Sequence, residues 1–511
     1  MTEPRNLEDK NIFIPPRDLA ALDLGSNSFH LLIVRYDNGQ IKVLDQLNEY
    51  VRLAAGLDKD NLISDSKTEE AINALARISQ RLRGISTENV RIVGTNTLRK
   101  AKNSSTFLQR AEETVGHPIE VISGAEEARL IYEGVISVRG SGTGRHLIID
   151  IGGGSTELII GQSGKPLRME SLFMGCVSLS RQFFPDGVVT QKNMSEAIKY
   201  ATLQLLPISE SYRSLGWKTC IGSSGTVKAI LKTVQTAGWC KNLITSRSLT
   251  NLTNRLITKG NCTANTIEGL SKRRAPVFAG GVAALNACFN ILEIEKMEVS
   301  DAALREGVIQ DLIGRGSERD IRSGSVIALA NRYHIDMAQA DRIRITALSL
   351  FQQTYQHWLL DKVHHRLLLS WAAILHEIGL DISHHQYHKH GGYILAHSDL
   401  TGFSMTDQAI LSTLVRGHRR KLSSAVFSSI PHNILLQTER LVVLLRLAVL
   451  LHRHRQSEPL PPFKITSRGK QIKLELPSSW LQHHPLTHAQ IDEENELIRP
   501  RGYAILIQST L

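Results

Sequence analysis

His146-Leu-Ile-Ile-Asp150-Ile-Gly-Gly-Gly-Ser-Thr-Glu157-Leu-Ile-Ile160 is the stretch whose reading decides the fold. An apolar run of strand character ends on Asp150. Three glycines follow, then two hydroxyls and an acid, and a second apolar run begins. A strand, a tight turn and a returning strand place Asp150 at a strand end beside a cluster of backbone N–H groups. Gly152, Gly153 and Gly154 have no Cβ, so the main chain can approach a ligand closely and reach φ > 0. Successive N–H groups in such a turn form an anion nest. A carboxylate beside a phosphate cradle makes sense with a divalent cation between them, since two bare negative charges repel. In isolation an ordinary glycine-rich hairpin has the same pattern.

A second copy lies 127 residues upstream. In Leu19-Ala-Ala-Leu-Asp23-Leu-Gly-Ser-Asn-Ser28-Phe-His-Leu-Leu-Ile-Val34, Asp23 superposes on Asp150, Gly25 on Gly152 and Ser28 on Ser155. Asp37-Asn38-Gly39 supplies a hairpin turn, matched by Gln162-Ser-Gly-Lys165, and each copy continues into a third strand-like run. The repeat predicts a duplicated domain that grips phosphate between facing hairpins. A capping box at Ser66-Lys-Thr-Glu69 opens a helix carrying Ile72, Leu75, Ile78 and Leu82 at helical spacing. The strand Val90-Arg-Ile-Val93 runs into Gly94-Thr-Asn-Thr-Leu-Arg99. A helix from about Ser105 to Gly116 and the strand Pro118–Ile122 follow. This alternation predicts a largely parallel sheet with its ligand at the strand C-terminal ends.

At one such end, Ser123-Gly-Ala-Glu126-Glu127-Ala-Arg129 separates two adjacent acids. Ser123 and Glu126 have capping-box spacing, which gives Glu126 a structural task and leaves Glu127 free for chemistry or for the helix dipole. Further on, Met174-Gly-Cys176-Val-Ser178 reads as a small-residue turn, and Thr219-Cys-Ile-Gly-Ser-Ser-Gly225-Thr226 as a strand, loop and helix suited to phosphate. Ser300-Asp301 reads as a helix cap.

The 511 residues suggest several domains. With 42% hydrophobic and 21% charged residues they have ample material for cores. The net charge of +11 favours polyanionic partners, without choosing among nucleic acid, a membrane surface or a phosphate-rich substrate. Five scattered cysteines without a C-x-x-C pair argue against a disulfide framework or zinc knuckle. Met1 to Arg17 lacks an apolar signal core, and the apolar run Leu441 to Leu451 carries Arg446, so it reads as a core helix. A cytoplasmic location is expected. From about Gly316 helical periodicity takes over. Thirteen of the twenty histidines lie between His357 and His454, among them His376, His384, His385, His388 and His390. Histidines with acids admit a metal site. The tail, with Phe463–Thr466, Gln471–Leu476 and Tyr503–Gln508, reads as antiparallel strands.

Together Asp23–His30, Ser123–Arg129, Asp150–Glu157 and Ala303-Leu-Arg-Glu-Gly307 resemble the exopolyphosphatase and guanosine pentaphosphate phosphatase family, in the actin-like ATPase superfamily. The likeness runs from about Asp18 to the C-terminus. Gly94–Arg99, the third glycine at Gly154 and Ser300-Asp301 lean towards exopolyphosphatases. Val51–Gly56 and Trp480–Pro485 are similar to the nucleotide-directed sister. Pro276, close after Arg274, departs from the family pattern, and Glu377 stands where active HD-type metal sites have Asp. The histidines are therefore expected to be structural or to contact polyanion.

The resemblance implies an α/β fold of duplicated actin-like (ribonuclease H-like) domains at 1–130 and 131–315. An all-α HD-like domain at 316–455 and a small α+β domain at 456–511 follow. It implies a processive exopolyphosphatase acting on inorganic polyphosphate, with Mg²⁺ as cofactor, K⁺ as a candidate stimulant, a homodimeric assembly and no nucleic-acid partner. Peripheral membrane contact is not indicated. The alternatives are hydrolysis of guanosine pentaphosphate and a non-catalytic sensor of either ligand. Under the resemblance Glu127 is the base and Arg99 offsets charge on the transferred group. Gly25, Asn27, Ser28, Gly152, Gly153, Gly154, Ser155, Cys176 and Arg274 hold phosphate. Asp150 and Glu157 hold the metal.

Overall fold

The computed structural model describes residues 17–37, 39–140, 142–315, 320–455 and 458–510, and the chain divides into two compact units, residues 1–319 and 320–511. The leader 1–16, Asn38 of the expected first hairpin turn, and Gly316, where the change of character was placed, lie outside the described residues.

The first unit holds two sheets of matching plan. β1 (Arg17–Leu24), β2 (Phe29–Asp37), β3 (Gln40–Glu49), β4 (Val90–Gly94) and β5 (Ile119–Val121) assemble in the order β3-β2-β1-β4-β5. The second sheet is built from β6 (Arg145–Ile151), β7 (Thr156–Gln162), β8 (Lys165–Leu172), β9 (Thr219–Ser223), β10 (Ile244–Thr245) and β11 (Lys296–Val299). Its order is β8-β7-β6-β9-β11-β10. In each, the first three strands form an antiparallel meander and the next two join in parallel. β1 and β6 are central and covered on both faces, which is why Leu19–Leu22 and Leu147–Ile149 read as unbroken apolar runs. The duplication is thus structural: Asp23 pairs with His30 across β1/β2 as Asp150 pairs with Glu157 across β6/β7.

One expected division and one expected helix cap move. The division at 130/131 falls inside the unbroken helix Gly124–Arg139, because the chain leaves the first sheet along a helix rather than a linker. That helix crosses the helix Leu304–Gly314 so closely that a Cβ on Gly307 would sit 1.8 Å from the Leu130 carbonyl oxygen. A buried ion network spans the crossing and ties it to the first sheet. Arg91 on β4 donates to Asp311 (2.7 Å), Arg129 to both Glu126 and Asp311 (2.7 Å each), and Arg315 to Glu120 (3.0 Å). Burial alone would raise the Asp311 carboxyl, yet Arg91, Arg315 and Arg129 hold it well below the usual range. Glu126 does receive the Ser123 turn, its N–H donating to Ser123 Oγ (3.1 Å), while its carboxylate grips Arg129 through both oxygens. The first long helix, Asp65–Leu82, is capped by Ser64 rather than Ser66: Ser64 has extended backbone and accepts from Lys67 N–H.

In the second unit six helices, Ile321–Arg332, Met337–Thr354, His364–Leu375, Tyr387–His397, Met405–Gly417 and Leu435–Leu451, share one core with the tail. Val326, Leu350, Leu375, Leu445, Leu474 and Ile505 all belong to it. The tail adds β12 (Lys464–Arg468), β13 (Gln471–Pro477) and β14 (Ala504–Thr510). β12 and β13 are antiparallel as expected, but β14 lies parallel to β13. The helices Ser478–His483 and Pro485–Ile498 provide the crossover that a parallel pair needs. Arg446 stays buried in its apolar helix by pairing with Glu494 and donating to the carbonyls of Gly417 and Arg420.

Candidate active site

The two hairpin loops face each other across a cleft of about 280 Å³ in the first unit. Of the expected residues, Gly25, Asn27, Ser28, Glu127, Asp150, Gly152, Gly153, Gly154, Ser155, Cys176 and Arg274 all line it. Asp23, His30, Lys228, Asp301 and Arg305 join them, and so does Ser224. Arg99 and Glu157 stand behind this lining.

The glycines serve contact rather than left-handed backbone. None of Gly25, Gly152, Gly153 and Gly154 has positive φ, so the expected nest of alternating backbone hand is not how this loop is made. A Cβ on Gly154 would meet Asn96 Oδ1 at 2.3 Å, and one on Gly153 would meet Ser26 Cβ at 2.8 Å. The loop of one copy is therefore pressed against the other copy's elements. The stretch at Met174–Ser178 is not a free turn: Gly175 caps the helix Cys176–Phe183 and packs its Cα on Gly153 and Gly154. Left-handed backbone falls instead on Ser224 (φ 84°), at the start of the helix Ser224–Thr236, where its hydroxyl accepts from Thr226 and Val227 N–H. Strain at a non-glycine residue is characteristic of functional sites, and a Gly/Ser motif does not reveal which residue will carry it. Gly225 beside it leaves room for a guanidinium: a Cβ there would lie 1.8 Å from Arg274 Nη2 and push it aside.

Glu127, only 7% exposed, projects from the first turn of its helix, and its Oε2 accepts from Arg99 Nη1 at 2.8 Å. The same Nη1 donates to the Ile122 carbonyl (2.8 Å). Arg99 thus fixes the orientation of Glu127 from behind the cleft lining. Glu157 Oε1 accepts from Ser171 (2.8 Å), and its Oε2 is buried without a partner. Asp301 is not a helix cap. It is exposed, pairs with Lys228 (3.1 Å), and leaves the cap of Leu304–Gly314 to Glu306, which accepts from Ala303 N–H.

The cleft concentrates negative charge where water is scarce. Burial, with repulsion from Glu127, pushes the Asp150 carboxyl up to about 7 even though Ser223, Lys228 and Arg274 oppose it. Burial and the neighbouring Glu127 and Asp150 raise Glu157 well above its ordinary value, and Asp23 is raised by burial and Glu127. Several polar atoms here are buried without partners: Asp23 Oδ1, both side-chain ends of Asn27, Asn96 Nδ2 and Arg305 Nη1. Each such orphan costs about 1–3 kcal/mol, so their gathering on one cleft marks a place built to be filled. A hard divalent cation suits the carboxylate oxygens of Asp150 and Glu157 and would relieve their repulsion. Among the described residues no three acid, histidine or cysteine side chains converge to cage a metal alone. Mg²⁺ characteristically takes one or two carboxylates and completes its shell with phosphate and water.

In the second unit, His376 and His418 bury their rings edge to face (centroids 5.5 Å apart) and donate through Nδ1 to backbone carbonyls. Burial lowers both imidazoles. Arg455 pairs with Glu377, occupying the acid beside them.

Residues 32–315 match the family model described as the Ppx/GppA phosphatase family, and residues 321–495 match Ppx/GppA phosphatase, domain III. The chain is 38% identical to the guanosine-5'-triphosphate,3'-diphosphate pyrophosphatase of Vibrio vulnificus over 493 residues, 96% of this chain and 98% of that one. The protein of that name from Pseudoalteromonas translucida is also 38% identical, over 488 residues, with the same coverage. Among solved structures, an exopolyphosphatase from Cytophaga hutchinsonii superposes with a TM-score of 0.53 at 24% identity, covering 58% of this chain and 98% of that one. It supports the duplicated actin-like fold.

Proposed function

The chain belongs to the Ppx/GppA phosphatase family of phosphoanhydride hydrolases, and from that premise we propose that its cleft removes the terminal phosphate of guanosine-5'-triphosphate,3'-diphosphate. The observation that carries the chemistry is one cleft holding a buried, arginine-oriented Glu127, unpartnered polar groups and the cations Lys228, Arg274 and Arg305. The choice of substrate rests on the relatives at 38% identity along nearly the whole chain, which carry the nucleotide name. Polyphosphate, the first expectation from the motifs, moves to second place, because the exopolyphosphatase likeness at 24% identity speaks only for the fold. The three-cation wall keeps polyphosphate as the competing substrate.

The terminal phosphoryl group sits between the facing loops, where Asn27 and backbone N–H groups at Gly25, Gly153 and Gly154 meet its oxygens. Lys228, Arg274 and Arg305 meet the phosphates behind it. Glu127 orients a water and takes one of its protons as the water oxygen bonds to phosphorus. The bridging P–O bond breaks, and the electron pair leaves on the remaining phosphate. Positioning and charge compensation supply most of the catalysis in such a transfer, and a placed base contributes about 10²–10⁴ in rate. Asp150 and Glu157 are the residues to hold Mg²⁺, which neutralises phosphate charge when bound; K⁺ is a further ion to test. Phosphate release from the nucleotide with Mg²⁺ and with EDTA tests the reading. Tight nucleotide binding without metal-dependent release would instead make the cleft a sensor.

A further inference from the structure

His30 lines the cleft and has no task in the reaction described above. It stands on β2 opposite Asp23 on one side and Asn48 of β3 on the other. Its Nδ1 lies 2.6 Å from Asn48 Oδ1 and its Nε2 lies 2.7 Å from Ser28 Oγ. A carbonyl oxygen can only accept, so Nδ1 carries the ring proton and Nε2 is the bare nitrogen. Ser28 must then donate its hydroxyl hydrogen to Nε2. Burial also holds this imidazole neutral, lowering it to about 4.

The duplication repeats part of the arrangement. Residue 157 occupies the second copy's equivalent of position 30, and Glu157 accepts from Ser171 on the third strand. Both jaws therefore brace this second-strand side chain from the third strand, and the first jaw also ties its loop serine to it.

We propose that His30 is a positioning residue for the hydrolysis: by taking the Ser28 hydroxyl hydrogen, it makes Ser28 face the cleft through an oxygen lone pair. This rests on the phosphoanhydride-hydrolase reading of the cleft. A serine so turned cannot donate to an anionic phosphate oxygen, the task first expected of it. With Asn27, Lys228, Arg274 and Arg305 engaged on the phosphates, the donor left for it is the attacking water. Glu127 takes one water hydrogen and Ser28 accepts the other, which aims the water's lone pair at phosphorus.

Steady-state kinetics of S28A, H30A and the double variant, with H30Q and N48A alongside, test this on whichever substrate the wild type cleaves. S28A and H30A should each lower kcat by roughly 10–100-fold with KM within about threefold. The double variant should be no slower than the slower single variant, because His30 acts only through Ser28. H30Q, whose side-chain carbonyl can take the same hydroxyl, should recover part of kcat. N48A alters an exposed strand residue and covers the case that H30A does not fold. It should cost a few-fold in kcat and nothing further in an S28A background. Multiplicative losses in the double variant, or a loss confined to KM, overturn the proposal. A wild type that releases no phosphate from either substrate overturns the hydrolase reading, and this inference with it.

Discussion

Asp150→Asn should make the metal-free protein more stable while disabling it. Asp150 keeps its proton up to about pH 7 in the fold and loses it near 3.8 in an unfolded chain. Below the unfolded value both states are protonated and the site costs nothing. Between roughly 4 and 7 the folded state holds a proton that the unfolded state has released, so stability falls as pH rises. Above about 7 the cost is constant. At about 1.36 kcal/mol per pH unit the ceiling is about 4 kcal/mol at pH 8 and about 1.5 kcal/mol at pH 5. Asparagine removes the charge and with it this cost. Thermal unfolding in EDTA should therefore show Asp150→Asn above wild type by roughly 5–8 °C at pH 8, at about 2 °C per kcal/mol for a unit of this size. At pH 5 the gap should shrink to less than half. With Mg²⁺ and substrate the variant should show little turnover. An equal gap at both pH values, or a variant less stable than wild type at pH 8, would refute the account of a desolvated, repelled carboxylate.

The remaining predictions concern the same machinery. Glu127→Gln should lower kcat by about 10²–10⁴ while equilibrium dialysis shows nucleotide binding nearly unchanged; near-normal turnover would remove Glu127 as base. Apparent Mg²⁺ affinity, read from activity titrations, should weaken by at least about tenfold per pH unit below 7, because the cation competes with the protons that burial holds on Asp150 and Glu157. Gly225→Ala should displace Arg274, which a new Cβ would meet at 1.8 Å, and raise KM far more than it changes the thermal midpoint. Gly307→Ala, facing the Leu130 carbonyl at 1.8 Å, should cost about 1–3 kcal/mol or more by overpacking. Chemical denaturation with no change in midpoint would contradict that crossing.

The duplicated hairpins were legible because strand periodicity and the Asp–Gly–Ser spacing are local signals, repeated at a constant offset. Glu127 was separable from Glu126 because capping geometry assigns one acid and frees its neighbour. Contacts between distant segments left no local mark. Arg91 reaches Asp311 across 220 residues, and nothing near either announces the pairing. Lys228, Arg305 and Ser224 enter the cleft only once β9 and the helix Leu304–Gly314 are brought to the loops of the first copy. Only the fold shows the Arg99 guanidinium on Glu127. The parallel β13/β14 pair was missed because its crossover helices lie in a polar, histidine-bearing stretch whose helical period is faint.

The central claim is that this cleft is a phosphoanhydride hydrolase directed at the nucleotide, and a paired substrate assay tests it most directly. Phosphate release should be measured at equal enzyme and Mg²⁺ from guanosine-5'-triphosphate,3'-diphosphate and from long-chain polyphosphate. The account predicts a kcat/KM at least about tenfold higher for the nucleotide, a margin of about 1.4 kcal/mol in transition-state binding, with both activities lost in Glu127→Gln. A preference for polyphosphate, or release that survives Glu127→Gln, would contradict it.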